Sequence, residues 1–240
     1  EVLIPLAVIG IVAALTIPSL VQSYKERVTI TKVKKAYTTL TNALQLAIIE
    51  NGTVDNWGLT GAYEDEDGNA QISQEGSIKF ARIFSEYLNK STICEGDLDC
   101  IGGYDQKLMN GDEYTIGAQG ASAVVLNDGT GVAFTPWMYS NGAYCANNTD
   151  ACGSITIYTD LGHTTQYGVN TFTFYLYKDR IVPWGARTVS GINSFAEKCK
   201  YNGGNFENGL ACTGWVIEVG NMDYLHCDGL SWDGKHSCKE

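Results

Sequence analysis

Hydrophobic positions are arranged in three different ways along this chain of 240 residues. From Val2 to Val21 the run is apolar, with no charged side chain after Glu1, and at about 20 residues it is long enough to cross a bilayer. From Val33 onward the pattern becomes periodic. Val33, Tyr37, Leu40, Leu44 and Ala47 recur at steps of four and three, joined by Ile48, while Lys34, Lys35, Thr38, Thr41, Asn42 and Gln45 fill the other side; this is one apolar face of a helix. The two stretches predict one helix running to about Glu50, with Asn51-Gly52 as its stop signal. Fifty residues at about 1.5 Å each make a rod of roughly 75 Å. A domain of this size does not enclose such a rod, so its apolar half must meet a membrane or other copies of itself. A cleaved signal peptide fits less well, because the run lacks a basic leader and an A-x-A site and passes directly into helical sequence.

Beyond residue 52 the spacing shortens. Ile78 to Asn89 predicts a second helix, with Ile78, Ala81, Ile83, Phe84, Tyr87 and Leu88 on its apolar side. Ser122–Leu126 and Gly131–Phe134 flank Asn127-Asp128-Gly129-Thr130 and predict a hairpin. Ser154–Thr159, Phe172–Tyr177 and Trp215–Val219 predict further strands. Glu64-Asp65-Glu66-Asp67-Gly68-Asn69 is a turn signal; a calcium loop is the competing reading, but the EF-hand spacing and its distal glutamate are missing. The economical architecture is α+β: a long N-terminal helix, residues 1–52, packed against an antiparallel, β-rich head, residues 53–240. The Thr- and Tyr-rich strand faces are expected to look outward.

Charge sharpens this division. Residues 1–50 carry five basic and three acidic side chains, which leaves eleven basic against twenty-four acidic in the rest, so the head is near −13. A surface of that sign repels phosphates, and direct nucleic acid binding is not expected. Eight cysteines fall in four close pairs, Cys94 and Cys100, Cys145 and Cys152, Cys199 and Cys212, Cys227 and Cys238. They read as a disulfide framework made in an oxidising compartment. Eight cysteines permit roughly a hundred pairings, and the short gaps favour neighbours, each closed loop being worth roughly 2–3 kcal/mol.

Catalytic chemistry is not evident. H-E-x-x-H, G-x-S-x-G and G-x-x-x-x-G-K are missing, and the histidines are His163, His226 and His236. His226, Cys227, His236 and Cys238 can be drawn as a zinc site, but the spacing is wrong for common fingers and both cysteines are needed for disulfides. No catalytic residue, metal or cofactor is therefore assigned.

The opening Glu1-Val2-Leu3-Ile4, continuing through Ile9-Gly10-Ile11-Val12-Ala13-Ala14-Leu15-Thr16-Ile17-Pro18, resembles the N-terminal signature of type IV pilins and type II secretion pseudopilins. Lys34–Leu44, Cys212–Ile217 and Gly220–Leu225 resemble a bacterial branch of prepilin-like proteins. The resemblance implies a structural subunit of an extracellular filament at the bacterial cell surface. Such a subunit is held by its helix in the inner membrane, passed to a pilus assembly machinery and packed as a helical homo-oligomer. A low-copy minor pilin or pseudopilin whose head binds ligand or cargo is the alternative. By the same resemblance Glu1 meets the N-terminal amine of a neighbouring subunit, while Gly10 and Pro18 mark a segment that loosens in filaments. The filament core is then lined by Leu3, Leu6, Ile9, Val12, Leu15 and Leu20. A lone carboxylate among apolar side chains is costly unless paired, which suits a register-setting role for Glu1; a solvated helix-terminal carboxylate is the simpler reading. Two features depart from the family pattern: members usually carry a few residues before this glutamate, and Pro5 sits awkwardly if helix precedes it.

Overall fold

The computed structural model describes residues 3–61, 63–64, 70–71, 73–103, 105–114, 120–137, 145, 151–162, 164–203 and 207–240, with the side chains of residues 3–13, 15, 63–64 and 70–71 outside the description. Helix α1 runs over Leu3–Asn51 and continues through Pro18. In the single chain the segment from Gly10 to Pro18 is therefore regular helix; the loosening expected of it concerns a filament. Gly52 ends the helix with φ +76°, its N–H donating to the Ile48 carbonyl at 2.9 Å, as the Asn-Gly stop signal predicts.

The second half of α1 buries one stripe: Val33, Ala36, Leu40, Ala43, Leu44 and Ala47 are each at most 3% exposed. The three alanines let the helix approach the head closely, and Tyr37 stacks flat on Phe174 with ring centroids 5.5 Å apart. Helix α2, Gln74–Glu86, begins four residues before its predicted start because the Ser73 hydroxyl caps it, accepting from the Gly76 N–H. It carries Phe80 and Phe84 onto Phe134, at 5.0 and 5.4 Å between centroids.

The strands are β1 (Tyr63–Glu64), β2 (Ala70–Gln71), β3 (Lys90–Cys94), β4 (Gln106–Lys107), β5 (Ser122–Leu126), β6 (Gly131–Pro136), β7 (Gly153–Tyr158), β8 (Thr165–Gln166), β9 (Thr171–Leu176) and β10 (Ile181–Pro183). Six of them make one antiparallel sheet in the order β10-β9-β7-β6-β5-β3. The predicted hairpin is β5–β6, with Thr130 N–H bonded to Asp128 Oδ1 and Gly129 at φ +81°. β1 pairs with β2 across the acidic turn, whose residues 65–69 lie outside the described residues. The edges carry Lys90 and Ser91 on β3 and Pro183 on β10, devices that discourage pairing with another sheet.

The face of the sheet turned to α1 and α2 is apolar, with Val132, Phe134, Ile155, Ile157, Phe172 and Phe174 all at most 1% exposed. The other face carries Thr135, Ser154, Thr156, Thr173 and Tyr175, and here an expectation is corrected. All but Thr135 are buried, because a layer of loops and short elements covers them, with Leu108, Tyr114, Tyr167, Trp184 and Leu210 packed against Tyr175. The head thus has three layers: helices, sheet and loops.

The predicted strand Trp215–Val219 is instead helix α4, Thr213–Glu218, preceded by the single-turn helix α3, Phe195–Lys198. Neighbouring Trp215 and Val216 are both fully buried in one cluster, which a strand, sending neighbours to opposite faces, would not allow. Gly214 lets this helix lie directly against the loop at Ala186, since a Cβ there would lie 2.3 Å from the Ala186 backbone nitrogen. Trp215 stacks on Phe195 at 4.3 Å and touches Trp232 at 5.1 Å.

Candidate functional site

Two regions of the molecule carry surfaces that its own fold does not use. The first is the leading half of α1. Ala14 and every residue from Thr16 to Lys25 are exposed, and only Tyr24 and Lys25, at the end of the stretch, border the head, across a cleft from Thr159, Asp160, Val169 and Asn170. Ile17 is 55%, Leu20 71% and Tyr24 68% exposed. With Val21 they stand at i, i+3, i+4 and i+7, one uncovered apolar face of the kind that another surface covers. Of the residues predicted to line a filament core, Leu20 is one of these exposed side chains. The side chains of Leu3, Leu6, Ile9, Val12 and Leu15 lie outside the described residues, as does Glu1, while Gly10 and Pro18 take helical backbone. Among the described residues no helix is long and apolar enough to cross a membrane; the apolar run on which a spanning segment was expected falls mostly outside them.

The helix enters the head at Glu26, whose carboxylate meets His226 Nε2 at 2.8 Å. Lys32 Nζ then donates to the Thr159 carbonyl at 2.6 Å and Lys35 Nζ pairs with Asp128 at 2.7 Å. Further along, Tyr87 donates to Glu50 at 2.7 Å. Burial pushes the Asp128 carboxyl up, but the bonds from Lys35 and Thr130 outweigh it and hold the group below the usual carboxylate range. These contacts clamp the second half of α1 and leave the first half free.

The second region is a cavity of about 260 Å³ between the outer sheet face and the loop layer. Its floor is a row of hydroxyls: Thr135 pairs in register with Ser154 across β6 and β7, and Thr156 with Thr173 across β7 and β9. The Thr156 and Thr173 hydroxyls lie 3.2 Å apart. Trp137 and Trp184, edge-on to each other at 6.2 Å, line it alongside Tyr158, Tyr167 and Gln106. Gln106 holds the two tyrosines: its amide N–H donates to Tyr158 Oη at 2.8 Å and its carbonyl accepts from Tyr167 at 2.5 Å. Glu207 closes one end, bonded to Lys198 and accepting from Tyr114 at 3.0 Å. Burial pushes the Tyr158 and Tyr167 hydroxyls up, and burial followed by the Glu207 charge does the same for Tyr114. All three therefore remain protonated donors at neutral pH.

The cysteines pair as neighbours throughout: Cys94–Cys100, Cys145–Cys152, Cys199–Cys212 and Cys227–Cys238. Cys227 and Cys238 are thus engaged with each other, His226 is turned to Glu26, and His236 Nε2 lies 3.1 Å from the Trp232 carbonyl. Among the described residues no three His, Cys, Asp or Glu side chains converge as a metal site would require. Sequence reasoning missed the cavity entirely. The alternation of Thr and Ser with Ile and Phe in β7 and β9 was the available signal, but it reads equally as a solvated face.

A model described as a family of unknown function (DUF6613) matches residues 19–213. No curated protein and no solved structure matches the chain. The matched span holds the clamped half of α1, the whole sheet and every residue lining the cavity. The chain belongs to the DUF6613 family.

Proposed function

We propose that this member of DUF6613 is a structural subunit of an extracellular, pilus-like filament, assembled through the leading half of α1 with the acidic heads outside. The observation that carries the proposal is the stretch from Thr16 to Lys25, a helix exposed on every side and bearing Ile17, Leu20, Val21 and Tyr24. Packed against the same stretch of neighbouring copies, these side chains leave water, at about 25 cal/mol per Å² of apolar area. The pilin-like opening from Glu1 to Pro18 supports the same reading, with the inner membrane holding the helix before assembly. Four disulfides suit a head exposed to an oxidising medium.

A second reading, a low-copy subunit whose head binds ligand, is favoured by the cavity beneath the loop layer. Copy number separates the two. Negative-stain microscopy of sheared cell-surface material, with the bands identified by mass spectrometry, is expected to find filaments in which this chain is the principal band; a trace amount selects the low-copy reading. A Leu20→Arg chain is expected to fold its head normally and to lose incorporation into filaments. Normal assembly of Leu20→Arg would sink the proposal in both forms.

A further inference from the structure

The cavity's lining identifies what it takes. Ser154 is 7% exposed, lines the cavity, and its hydroxyl has no hydrogen-bond partner among the described residues. Thr156 and Thr173 share a single bond, so one hydroxyl proton of that pair is unused. The Trp184 indole N–H is buried without a partner, although a buried indole N–H ordinarily finds one. A hydroxyl left unsatisfied in an apolar setting costs about 1–3 kcal/mol. Ser154 and the Thr156–Thr173 pair line one cavity wall, and their unused bonding capacity points to a ligand that bonds to them.

Charge narrows the class. Among the described residues the cavity is lined by no Lys, Arg or His, which disfavours an anion. Its one carboxylate, Glu207, is already occupied by Lys198 and Tyr114, which disfavours a cation. A purely apolar or aromatic ligand would leave the hydroxyl row of Ser154, Thr156 and Thr173 unsatisfied at further cost. What remains is a neutral molecule with several hydroxyls on one side and an apolar face for Trp137 and Trp184. Size sets the last limit: about 260 Å³ is just under the ~300–1,000 Å³ of drug-sized ligand sites, which admits one ring and not a chain of them. We infer that the cavity between the outer sheet face and the loop layer binds a single neutral pyranose sugar ring, its C–H face on the tryptophans and its hydroxyls on Ser154, Thr156 and Thr173.

The ligand class deepens the reading of a ligand-binding head, and the measurement is made on the unassembled chain, so it can fail while the filament proposal stands and the reverse. The full chain, held in a zwitterionic detergent without a sugar headgroup, is titrated with the methyl glycosides of glucose, galactose, mannose and N-acetylglucosamine, and with indole as the aromatic alternative. Tryptophan fluorescence and calorimetry are the readouts. At least one glycoside is expected to bind saturably and to shift the tryptophan emission. Ser154→Ala and Thr156→Val are each expected to weaken it about tenfold, with the disulfide map unchanged and, for Ser154→Ala, the melting temperature unchanged. Should one variant fail to fold, the other carries the test. Three results would overturn the inference: no glycoside binding up to about 10 mM, indole binding where no glycoside does, or glycoside binding indifferent to both variants.

Discussion

The two halves of α1 are one unbroken helix by backbone and two different objects by side chain. From Val33 to Ala47 the buried apolar residues keep to a stripe packed on the head, and the opposite side is polar except for the exposed Leu46. From Ala14 to Lys25 Ile17, Leu20, Val21 and Tyr24 again share one side of the helix, but the described side chains are exposed all round and the stripe has no cover in its own chain. An apolar stripe that the chain covers itself is complete; one that it leaves in water needs another copy, or a bilayer. The boundary is marked by charge, at Lys25, Glu26 and Arg27, and Glu26 is where the head takes hold through His226. Inside one chain the rod is thus half satisfied, and the unsatisfied half is what a partner must supply.

The same substitution in the two halves is the direct way to break this comparison, and the packed half gives the largest effect. Leu40 is fully buried between α1 and the head core. Leu40→Ala removes its transfer energy and leaves a cavity among side chains that cannot all relax, so it is expected to destabilise the head by about 2–5 kcal/mol. Urea unfolding followed by tryptophan emission reads this as a lower midpoint at unchanged slope. A loss under about 1 kcal/mol would mean that the helix and the sheet are not one cooperative unit.

A smaller effect comes from the clamp on the same half. Asp128 on the β5–β6 turn pairs with Lys35, and its carboxyl is held below the ordinary range in the fold. The unfolded chain therefore takes up this proton first as pH falls. The stabilisation is fully present above the unfolded value near 4 and is lost as pH drops through the lower folded value. For an exposed pair the expected size is about 0.2–1 kcal/mol. Comparing unfolding free energies at pH 7 and pH 3, the wild-type chain is expected to lose more than Asp128→Asn; equal losses would show that Lys35 contributes nothing to docking the rod.

Where the sequence was legible, a short-range period carried the information. The α1 stripe, the Asp-Gly hairpin, strands β5, β6, β7 and β9, and the pairing of neighbouring cysteines are all decided within a few residues. α4 was misread because Trp215-Val216-Ile217 has strand composition, while the close packing it makes, Gly214 on Ala186, spans 28 positions of sequence. β3 carries too few apolar residues to announce itself, and β10 is only three residues long and ends on a proline. The outer sheet face was the larger miss. Thr156, Thr173 and Tyr175 read as solvated because nothing local says that Leu108, Tyr167, Trp184 and Leu210 will come to lie over them. The cavity was invisible for the same reason, its lining being drawn from positions between Leu98 and Leu210.

The smallest effect on the fold belongs to the free half of the rod, and it is the most discriminating. Leu20 is 71% exposed, so truncating it removes little buried area and opens no cavity in the single chain. Leu20→Ala is expected to change the unfolding free energy of the head by less than about 0.5 kcal/mol, the range of surface substitutions away from special features. That is several times less than the identical change at Leu40, on the same helix and more than five turns away. In assembly the order should invert: every neighbouring copy that packs on Leu20 loses contact area, and the loss repeats at each subunit along the filament, whereas Leu40 faces only its own head. Paired measurements on Leu20→Ala and Leu40→Ala, unfolding in detergent and the yield of sheared filaments, read both orders at once. If Leu20→Ala unfolds as easily as Leu40→Ala, the leading half is folded against its own head and the distinction between the two halves collapses. If it is neutral in both assays, the exposed stretch is not an assembly surface, and the filament reading loses the observation that carries it.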